Sequence, residues 1–143
     1  MYVLGELDST VTVFANHRKE TFRSIQKIST LPAGFSGENT GAEIAIHPNG
    51  KFLYTSNRGD DSIALFTIDH ASGKLTFVER VPTEGKQPRF FTLDPSGSRL
   101  LVANQNTGNI VEFKINQATG RLTSAGEVAR VPSALSLVFA DGE

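Results

Sequence analysis

The segment AEIAIHPNGKFLYTSN, residues 42–57, returns 47 positions later as RFFTLDPSGSRLLVAN, residues 89–104. When residues 41–87 are aligned without gaps on residues 88–134, 12 of the 47 positions are identical. The identities fall on turn glycines and prolines and on alternating apolar positions. A fixed period of this length indicates one structural unit that the chain uses more than once.

Each unit is predicted to form four short strands. The runs AEIAIHP, KFLYTSN, SIALFTID and LTFVERV are rich in β-branched and aromatic residues, and Gly, Pro, Asn and Asp separate them. In the third run, Ile63, Leu65 and Thr67 are expected on one face. Four antiparallel strands in each repeat of roughly 40–50 residues are typical of a β-propeller blade. A β-sandwich is the main alternative, but a sandwich has no reason to repeat its turns at a fixed interval.

The fold class we predict is all-β, a partial propeller of about three four-stranded antiparallel blades. The first copy is incomplete: TVTVF aligns with SIALF at an offset of 52, so an insertion lies near residues 31–40. The stretch PSALSLVF near the end resembles the start of another copy. The predicted organisation is one domain over 1–143, with repeats at about 1–40, 41–87 and 88–134 and the start of a further strand at 134–139.

Composition argues against several classes of partner. The net charge is −1, so the chain lacks the basic excess that neutralises phosphates, and we expect no nucleic-acid partner. No apolar run reaches the roughly 20 residues that span a bilayer, and no signal peptide is evident. The chain contains no cysteine. We therefore expect a cytoplasmic protein without a membrane partner.

The histidines give a weak metal signal, because none stands at a short spacing from another. His47 stands where the next copy has Asp94, just before a turn proline, so we interpret it as a turn cap. No glycine-rich segment leads into a helix, as a phosphate cradle requires. The prediction is accordingly no metal and no cofactor.

Candidate site residues follow the second strand of each full repeat. The loop there holds Asn57 and Arg58 in one copy and Asn104 and Gln105 in the next. In the first copy, Glu6 occupies the position of Arg58 and Gln105. Equivalent loops of successive blades face the same central region. A carboxylate can act as a general acid or base, and a guanidinium can bind a carboxylate or phosphate. The alternative is that these are solvated loop residues or an ordinary Glu6–Arg58 ion pair.

Three stretches carry a family resemblance: ELDSTVTVF, AEIAIHPNGKFLYTSNRGDDSIALF and QPRFFTLDPSGSRLLVANQ. Together they resemble the lactonase family of seven-bladed propellers, which includes bacterial 6-phosphogluconolactonases and fungal carboxymuconate-lactonising enzymes. In register, the chain is similar only to the C-terminal part of such proteins. The resemblance implies about four further blades before Met1.

The resemblance also implies a chemistry of one His, one Glu and one Arg. Glu6 and Arg58 fall on the family's glutamate and arginine, while Gly5 replaces an asparagine that is usual there and is expected to loosen the glutamate. The histidine-rich segment of the family has no counterpart in this sequence. Arg89 is interpreted as an anion contact, and Gln105, Asn57 and Asn104 as further substrate-binding residues.

The function implied by the resemblance is hydrolysis of a sugar lactone such as 6-phosphogluconolactone, a small-molecule substrate. Because the histidine is absent, we expect the chain alone to have impaired activity or none. The alternative is a non-catalytic propeller fragment, either a protein- or sugar-binding module or a piece that completes a ring. Open strand edges and blade faces also predict self-association.

Overall fold

The computed structural model describes residues 1–17 and 21–140, and all of their regular structure is β-strand. Each strand coincides with a short run of apolar and β-branched residues that a turn interrupts. The strands are β1 (Tyr2–Gly5), β2 (Thr10–His17), β3 (Thr21–Ser29), β4 (Thr40–Ile46), β5 (Phe52–Arg58), β6 (Ser62–Ile68), β7 (Leu75–Pro82), β8 (Pro88–Leu93), β9 (Arg99–Asn104), β10 (Asn109–Ile115) and β11 (Leu122–Arg130). Within the described ranges no helix has the length and apolar character needed to cross a bilayer.

The strands form three antiparallel sheets, and within each sheet consecutive strands pair with each other. The first blade contains β1–β3, the second β4–β7 and the third β8–β11. Glycines at equivalent turns make this possible: Gly50 and Gly97 have φ values of 73° and 70°, a left-handed conformation that favours glycine. The predicted all-β partial propeller is confirmed.

The second blade is buried on both faces because it lies between the other two. Leu53 and Phe66 pack on the first blade, whereas Tyr54 and Leu65 pack on the third. Residues 52–57 are therefore buried without interruption, although a strand with one solvated face would alternate. Ile63 and Leu65 share one face, as the sequence predicts.

A threonine–asparagine hydrogen bond joins each blade to the next one. The Thr30 hydroxyl donates to Oδ1 of Asn57 at 2.6 Å, and Asn57 Nδ2 donates to the Thr30 carbonyl at 3.1 Å. At the next interface Asn104 Nδ2 donates to the Thr83 carbonyl at 2.9 Å. All four residues are fully buried. The repeat thus preserves a polar contact as well as an apolar core.

A tyrosine forms a second repeated contact between blades. The Tyr2 hydroxyl donates to the Gly73 carbonyl at 2.8 Å, and the Tyr54 hydroxyl donates to the Gly120 carbonyl at 2.7 Å. Burial raises the pKa of Tyr54 well above its ordinary value, and the charge of Glu79 raises it further. Burial likewise raises the pKa of Tyr2. Both hydroxyls stay protonated as donors at neutral pH.

A polar side chain on the last strand of a blade forms a third repeated contact. Gln26 donates to the Leu75 carbonyl at 2.8 Å and accepts from the Leu75 amide at 2.7 Å. At the next interface Glu79 accepts from the Leu122 amide at 3.0 Å and from Arg121 at 2.6 Å. The outer strand of each blade is thereby fixed to the outer strand of the next.

His47 caps its turn and also joins two blades. Its Nδ1 accepts from the Asn49 amide at 3.2 Å, as a turn cap would, and its Nε2 lies 2.8 Å from the Gly97 carbonyl in the third blade. The close approach depends on glycine, because a Cβ at Gly97 would lie 2.7 Å from the His47 ring. The sequence predicted the cap but not the contact between blades.

The end of the chain departs from the sequence expectation. Residues 134–139, expected to begin a further strand, are not a strand. A strand needs a neighbour that receives its backbone hydrogen bonds, and among the described residues none pairs with this segment. The described part of the chain has eleven strands rather than about twelve.

Candidate functional site

An ion pair joins the first and second blades at the ends of their equivalent strands. Arg58 is the last residue of β5, and Glu6 stands in the turn after β1. Arg58 Nη2 lies 2.7 Å from Glu6 Oε1 and 3.3 Å from the Gly41 carbonyl oxygen. The Arg58 side chain is 17% exposed and that of Glu6 63%. The guanidinium is therefore held by the fold, while the carboxylate remains accessible to water.

The Nε atom of Arg58 is buried, and it has no hydrogen-bond partner in the described part of the chain. A guanidinium has five donors, and here Nη2 uses two contacts within the protein. A buried donor without a partner costs free energy. Because Nε is closed off from solvent, an anionic group would have to reach Arg58 through the other donors of the guanidinium.

Glu6, Arg58 and Arg89 line one cavity of about 260 Å³. Leu4, Gly41 and Ala42 complete its wall. The cavity forms because β4 packs between β1 and β8, which brings the three blades together at this edge. Two guanidinium groups and one carboxylate leave a net positive charge, which favours a carboxylate or phosphate ligand. The predicted convergence of Glu6 and Arg58 is found, and Arg89 joins them.

A second cavity of about 500 Å³ also includes Arg58 in its lining. The insertion at residues 31–40 supplies much of its wall. Asn39 anchors that insertion: its Nδ2 donates to Ser9 Oγ at 2.8 Å, and its Oδ1 accepts from the Asp60 amide at 3.0 Å. Glu38 and Gln87 complete this wall. Sequence analysis did not identify Glu38 or Gln87 as site residues. It did indicate the insertion, because the first repeat aligns with the second at an offset of 52 residues and the second with the third at 47.

Three of the predicted substrate-binding residues do not line the 260 Å³ cavity. Asn57 and Asn104 are fully buried, and their amides bind Thr30 and Thr83 within the fold. Gln105 is half-buried, and its backbone amide donates to the Gln87 carbonyl at 2.9 Å. The asparagines are corrected to structural residues, because a side chain that holds two blades together cannot also reach a ligand in the cavity.

Comparison with known proteins gives the family. Residues 1–139 match the family described as lactonase, seven-bladed β-propeller. The chain belongs to the lactonase family. It is 44% identical over 94 residues to the 6-phosphogluconolactonase of Bacillus subtilis, an alignment that covers 65% of this chain and 27% of the relative. The aligned segment is thus about a quarter of that relative's length.

Two solved structures superpose over nearly the whole chain. A protein from Lactobacillus plantarum has a TM-score of 0.90 and 32% identity, with 94% of this chain and 40% of the other covered. The periplasmic gluconolactonase of Pseudomonas aeruginosa has a TM-score of 0.85 and 34% identity, with 93% and 40% covered. This lactonase-family chain therefore spans about two fifths of the length of these structures.

The lactonase-family chain departs from the expected asparagine at Gly5, and the structure shows what fills that space. The Asp8 carboxylate lies where a Cβ at Gly5 would be. Asp8 pairs with Lys27 at 2.7 Å and accepts from the Thr10 hydroxyl at 2.9 Å, and these two hydrogen bonds lower the pKa of Asp8. Asp8 thus forms the turn without an asparagine, and Glu6 is oriented by Arg58 instead.

Among the residues that the structure describes, no histidine lines the 260 Å³ cavity of this lactonase-family chain. His47 is buried and bonded on both ring nitrogens, and His70 lies in an exposed turn. In residues 1–17 and 21–140 no group of three or more His, Cys, Asp and Glu side chains is placed to hold a metal ion. The chemistry that these cavities can offer is that of guanidinium and carboxylate groups.

Proposed function

We propose that this chain carries one side of a lactonase site and binds the anionic group of a sugar lactone such as 6-phosphogluconolactone. The observation that carries the proposal is the convergence of Glu6, Arg58 and Arg89 on one cavity. Family membership supports the substrate class, since curated relatives are named 6-phosphogluconolactonase. The cytoplasmic location remains a prediction from composition.

The proposed roles follow from the chemistry of the three side chains that line the cavity. Arg89 binds the phosphate or carboxylate of the ligand, while Arg58 stabilises the negative charge that develops on the carbonyl oxygen. Glu6 orients or activates the attacking water. Water forms a bond to the carbonyl carbon, and the bond from that carbon to the ring oxygen breaks. The ring oxygen takes up a proton that the attacking water has lost, so the product is a hydroxy acid.

We also propose that the chain by itself hydrolyses lactones weakly or not at all. Glu6 Oε1 lies 2.7 Å from Arg58 Nη2, so this oxygen is already engaged in an ion pair and is not free to accept a proton from water. The histidine that the family resemblance implies has no equivalent in the cavity lining. Ligand binding is therefore the property that this chain is expected to retain.

Binding of 6-phosphogluconate, the hydrolysis product, tests the first proposal without requiring turnover. Titration followed by NMR is expected to shift the amides around the cavity. Arg58→Ala and Arg89→Ala should each weaken binding about tenfold or more, as loss of a charge-assisted hydrogen bond does. The matched control is Arg23→Ala on the exposed part of β3, which should bind as the parent chain does. Equal affinity in all four proteins would refute the site.

Hydrolysis is measured separately as acid release from 6-phosphogluconolactone at constant pH. The rate with the parent chain is expected to match the rate with the Glu6→Ala, Arg58→Ala double variant. A parent rate clearly above that control would overturn the proposed inactivity, while leaving the assignment of the cavity intact.

A further inference from the structure

Arg58 lines both cavities, so the 500 Å³ cavity adjoins the 260 Å³ cavity at this side chain. The 500 Å³ cavity is also lined by two polar residues that the proposed roles do not use, Glu38 and Gln87. A ligand whose anionic group lies at Arg58 and Arg89 therefore has room for further atoms beside Glu38 and Gln87.

Gln87 is held in an unusual backbone conformation at the edge of the 500 Å³ cavity. Its φ is 59°, a left-handed value that is uncommon for a residue other than glycine, asparagine or aspartate. Its amide donates to Asp61 Oδ1 at 2.8 Å, and its carbonyl accepts from the Gln105 amide at 2.9 Å. Both contacts are made by the backbone of Gln87, so the side-chain amide is not used to hold the loop in place.

Asp61 fixes the loop of Gln87 to the loop that follows Arg58. The carboxylate is buried, and its Oδ2 lies 3.0 Å from Lys86 Nζ while its Oδ1 accepts from Gln87. The Asp61 carbonyl accepts from the amide and from the hydroxyl of Thr83, at 2.9 and 3.0 Å. These contacts place Gln87 before any ligand arrives, which reduces the cost of ordering it on binding.

Glu38 reaches the same cavity from the insertion at residues 31–40. The neighbouring Asn39 holds this segment through its bonds to Ser9 and Asp60. The backbone of Glu38 also packs directly on Gly59, where a Cβ would collide with the Glu38 carbonyl. The residue itself is exposed. The insertion thus has a fixed backbone and presents a carboxylate that water or a ligand can reach.

A carboxylate and a primary amide together suit hydroxyl groups. The Glu38 carboxylate accepts hydrogen bonds from O–H donors, and the Gln87 amide can donate and accept. A second anionic group in this cavity would be repelled by Glu38. The two cavities therefore favour different parts of one ligand: the guanidinium groups favour its anionic group, and Glu38 and Gln87 favour hydroxyl groups on the adjoining carbon chain.

We propose that Gln87 and Glu38 are specificity-determining residues that bind the hydroxyl groups of the ligand, and that Asp61 positions Gln87. The proposal rests on the proposed function, because it requires the anionic group of the ligand to lie at Arg58 and Arg89. The site then selects polyhydroxylated lactones and their acids over compounds that carry the same charges without hydroxyls. A ligand that lacks the hydroxyls leaves polar groups of the protein without partners, which lowers its affinity.

Two compounds test this selectivity by isothermal titration calorimetry. One is 6-phosphogluconate, and the other is 6-phosphohexanoate, which has the same chain length, phosphate and carboxylate but no hydroxyls. The parent chain should bind the first about tenfold or more tightly than the second. Gln87→Ala and Glu38→Ala should each lower this ratio about threefold or more, since each removes one hydrogen-bonding group. The two compounds carry equal charge, so a general change in anion attraction cancels in the ratio.

Glu84→Ala is the matched control for Gln87→Ala. Glu84 lies in the same loop with a left-handed φ of 57°, and it does not line the 500 Å³ cavity. Its substitution repeats the backbone change without removing a group from the cavity, so the ratio should stay at the parent value. Arg89→Ala should weaken both compounds by the same factor, because Arg89 lines the 260 Å³ cavity and not the larger one.

The side-chain amide of Gln87 gives a readout in the unmodified chain. Its NMR resonances, assigned through the backbone, should shift on titration with 6-phosphogluconate and stay in place on titration with 6-phosphohexanoate. Circular dichroism shows whether each alanine variant is folded, and where one is not, the amide resonances decide.

Four results would overturn the inference. Equal affinity of the parent chain for the two compounds would do so while leaving the site of the anionic group intact. A ratio that falls as much in Glu84→Ala as in Gln87→Ala would mean that the loop backbone sets the selectivity. Gln87 amide resonances that do not shift when 6-phosphogluconate binds would exclude the contact. If neither compound binds, the proposed function fails, and this inference fails with it.

Discussion

Glu6 and Arg58 stand 52 residues apart in the chain, yet Glu6 Oε1 lies 2.7 Å from Arg58 Nη2. They meet because they occupy equivalent positions on adjacent blades, at strand ends that face the same cavity. The pair has two consequences. It orients a guanidinium that keeps an unpartnered Nε, and it makes the carboxylate a competitor for any anionic ligand of Arg58.

Glu6→Gln should therefore strengthen the binding of 6-phosphogluconate, because the amide no longer competes for Arg58. An increase in affinity of roughly threefold to tenfold is expected, in line with loss of one partly exposed charge contact. The thermal midpoint should change little, since Glu6 is largely exposed. Isothermal titration calorimetry measures the first quantity and a thermal melt the second. Weaker binding by this variant would instead mean that Glu6 contacts the ligand favourably.

The two buried asparagines are expected to contribute unequally to stability. Asn57 uses both its amide atoms in hydrogen bonds with Thr30, whereas Oδ1 of Asn104 is buried without a partner among the described residues. Asn57→Ala should lower the free energy of unfolding by about 2–3 kcal/mol and Asn104→Ala by about 1–2 kcal/mol. Urea unfolding of the two variants measures both. Equal losses would show that the second asparagine bond carries no extra stability.

Tyr54→Phe should change the alkaline stability of the protein. The pKa of the Tyr54 phenol is raised in the folded state, so its stabilisation is complete below the ordinary value near 10 and declines as the pH rises beyond it. Relative to the parent, Tyr54→Phe should be less stable by about 1–2 kcal/mol at pH 8, through loss of the bond to Gly120. That difference should shrink by pH 11.

Urea unfolding at the two pH values measures the effect. Tyr2→Phe is the matched control, because Tyr2 makes the equivalent bond but is only half-buried. A Tyr54→Phe deficit that is the same at both pH values would contradict the role of burial in raising its pKa.

Gly59→Ala should destabilise the loop that presents Arg58. Gly59 has φ of 127°, and a Cβ there would collide with the Glu38 carbonyl of the insertion. The expected loss is about 2–4 kcal/mol, together with weaker anion binding, because the insertion must move away from Arg58. Gly50→Ala is the control: its φ is 73° and the nearest atom is 3.8 Å away. It should cost about 1 kcal/mol and leave binding unchanged. Similar losses in both variants would argue against the contact with Glu38.

The repeat was sufficient to predict the strands, their order and the equivalence of Glu6 and Arg58. Turn glycines and apolar alternation depend on local backbone geometry, which each residue type biases directly. The strand expected at 134–139 was an exception, because a local pattern forms a strand only where a neighbour accepts its hydrogen bonds.

The roles of Asn57 and Asn104 could not be obtained in the same way. An asparagine next to a charged loop residue can either bind a ligand or form hydrogen bonds with a buried residue, and the local sequence is the same in both cases. The choice depends on Thr30 and Thr83, which lie more than 20 residues away in sequence and reach the asparagines only when blades stack.

The sequence by itself determined the all-β repeat architecture and which strand ends are equivalent on adjacent blades, since both follow from periodicity and turn chemistry. Tertiary structure alone decided which polar residues form hydrogen bonds between blades and that Glu6 pairs with Arg58. Those properties depend on the relative placement of distant residues, and the packing of one sheet on another sets that placement.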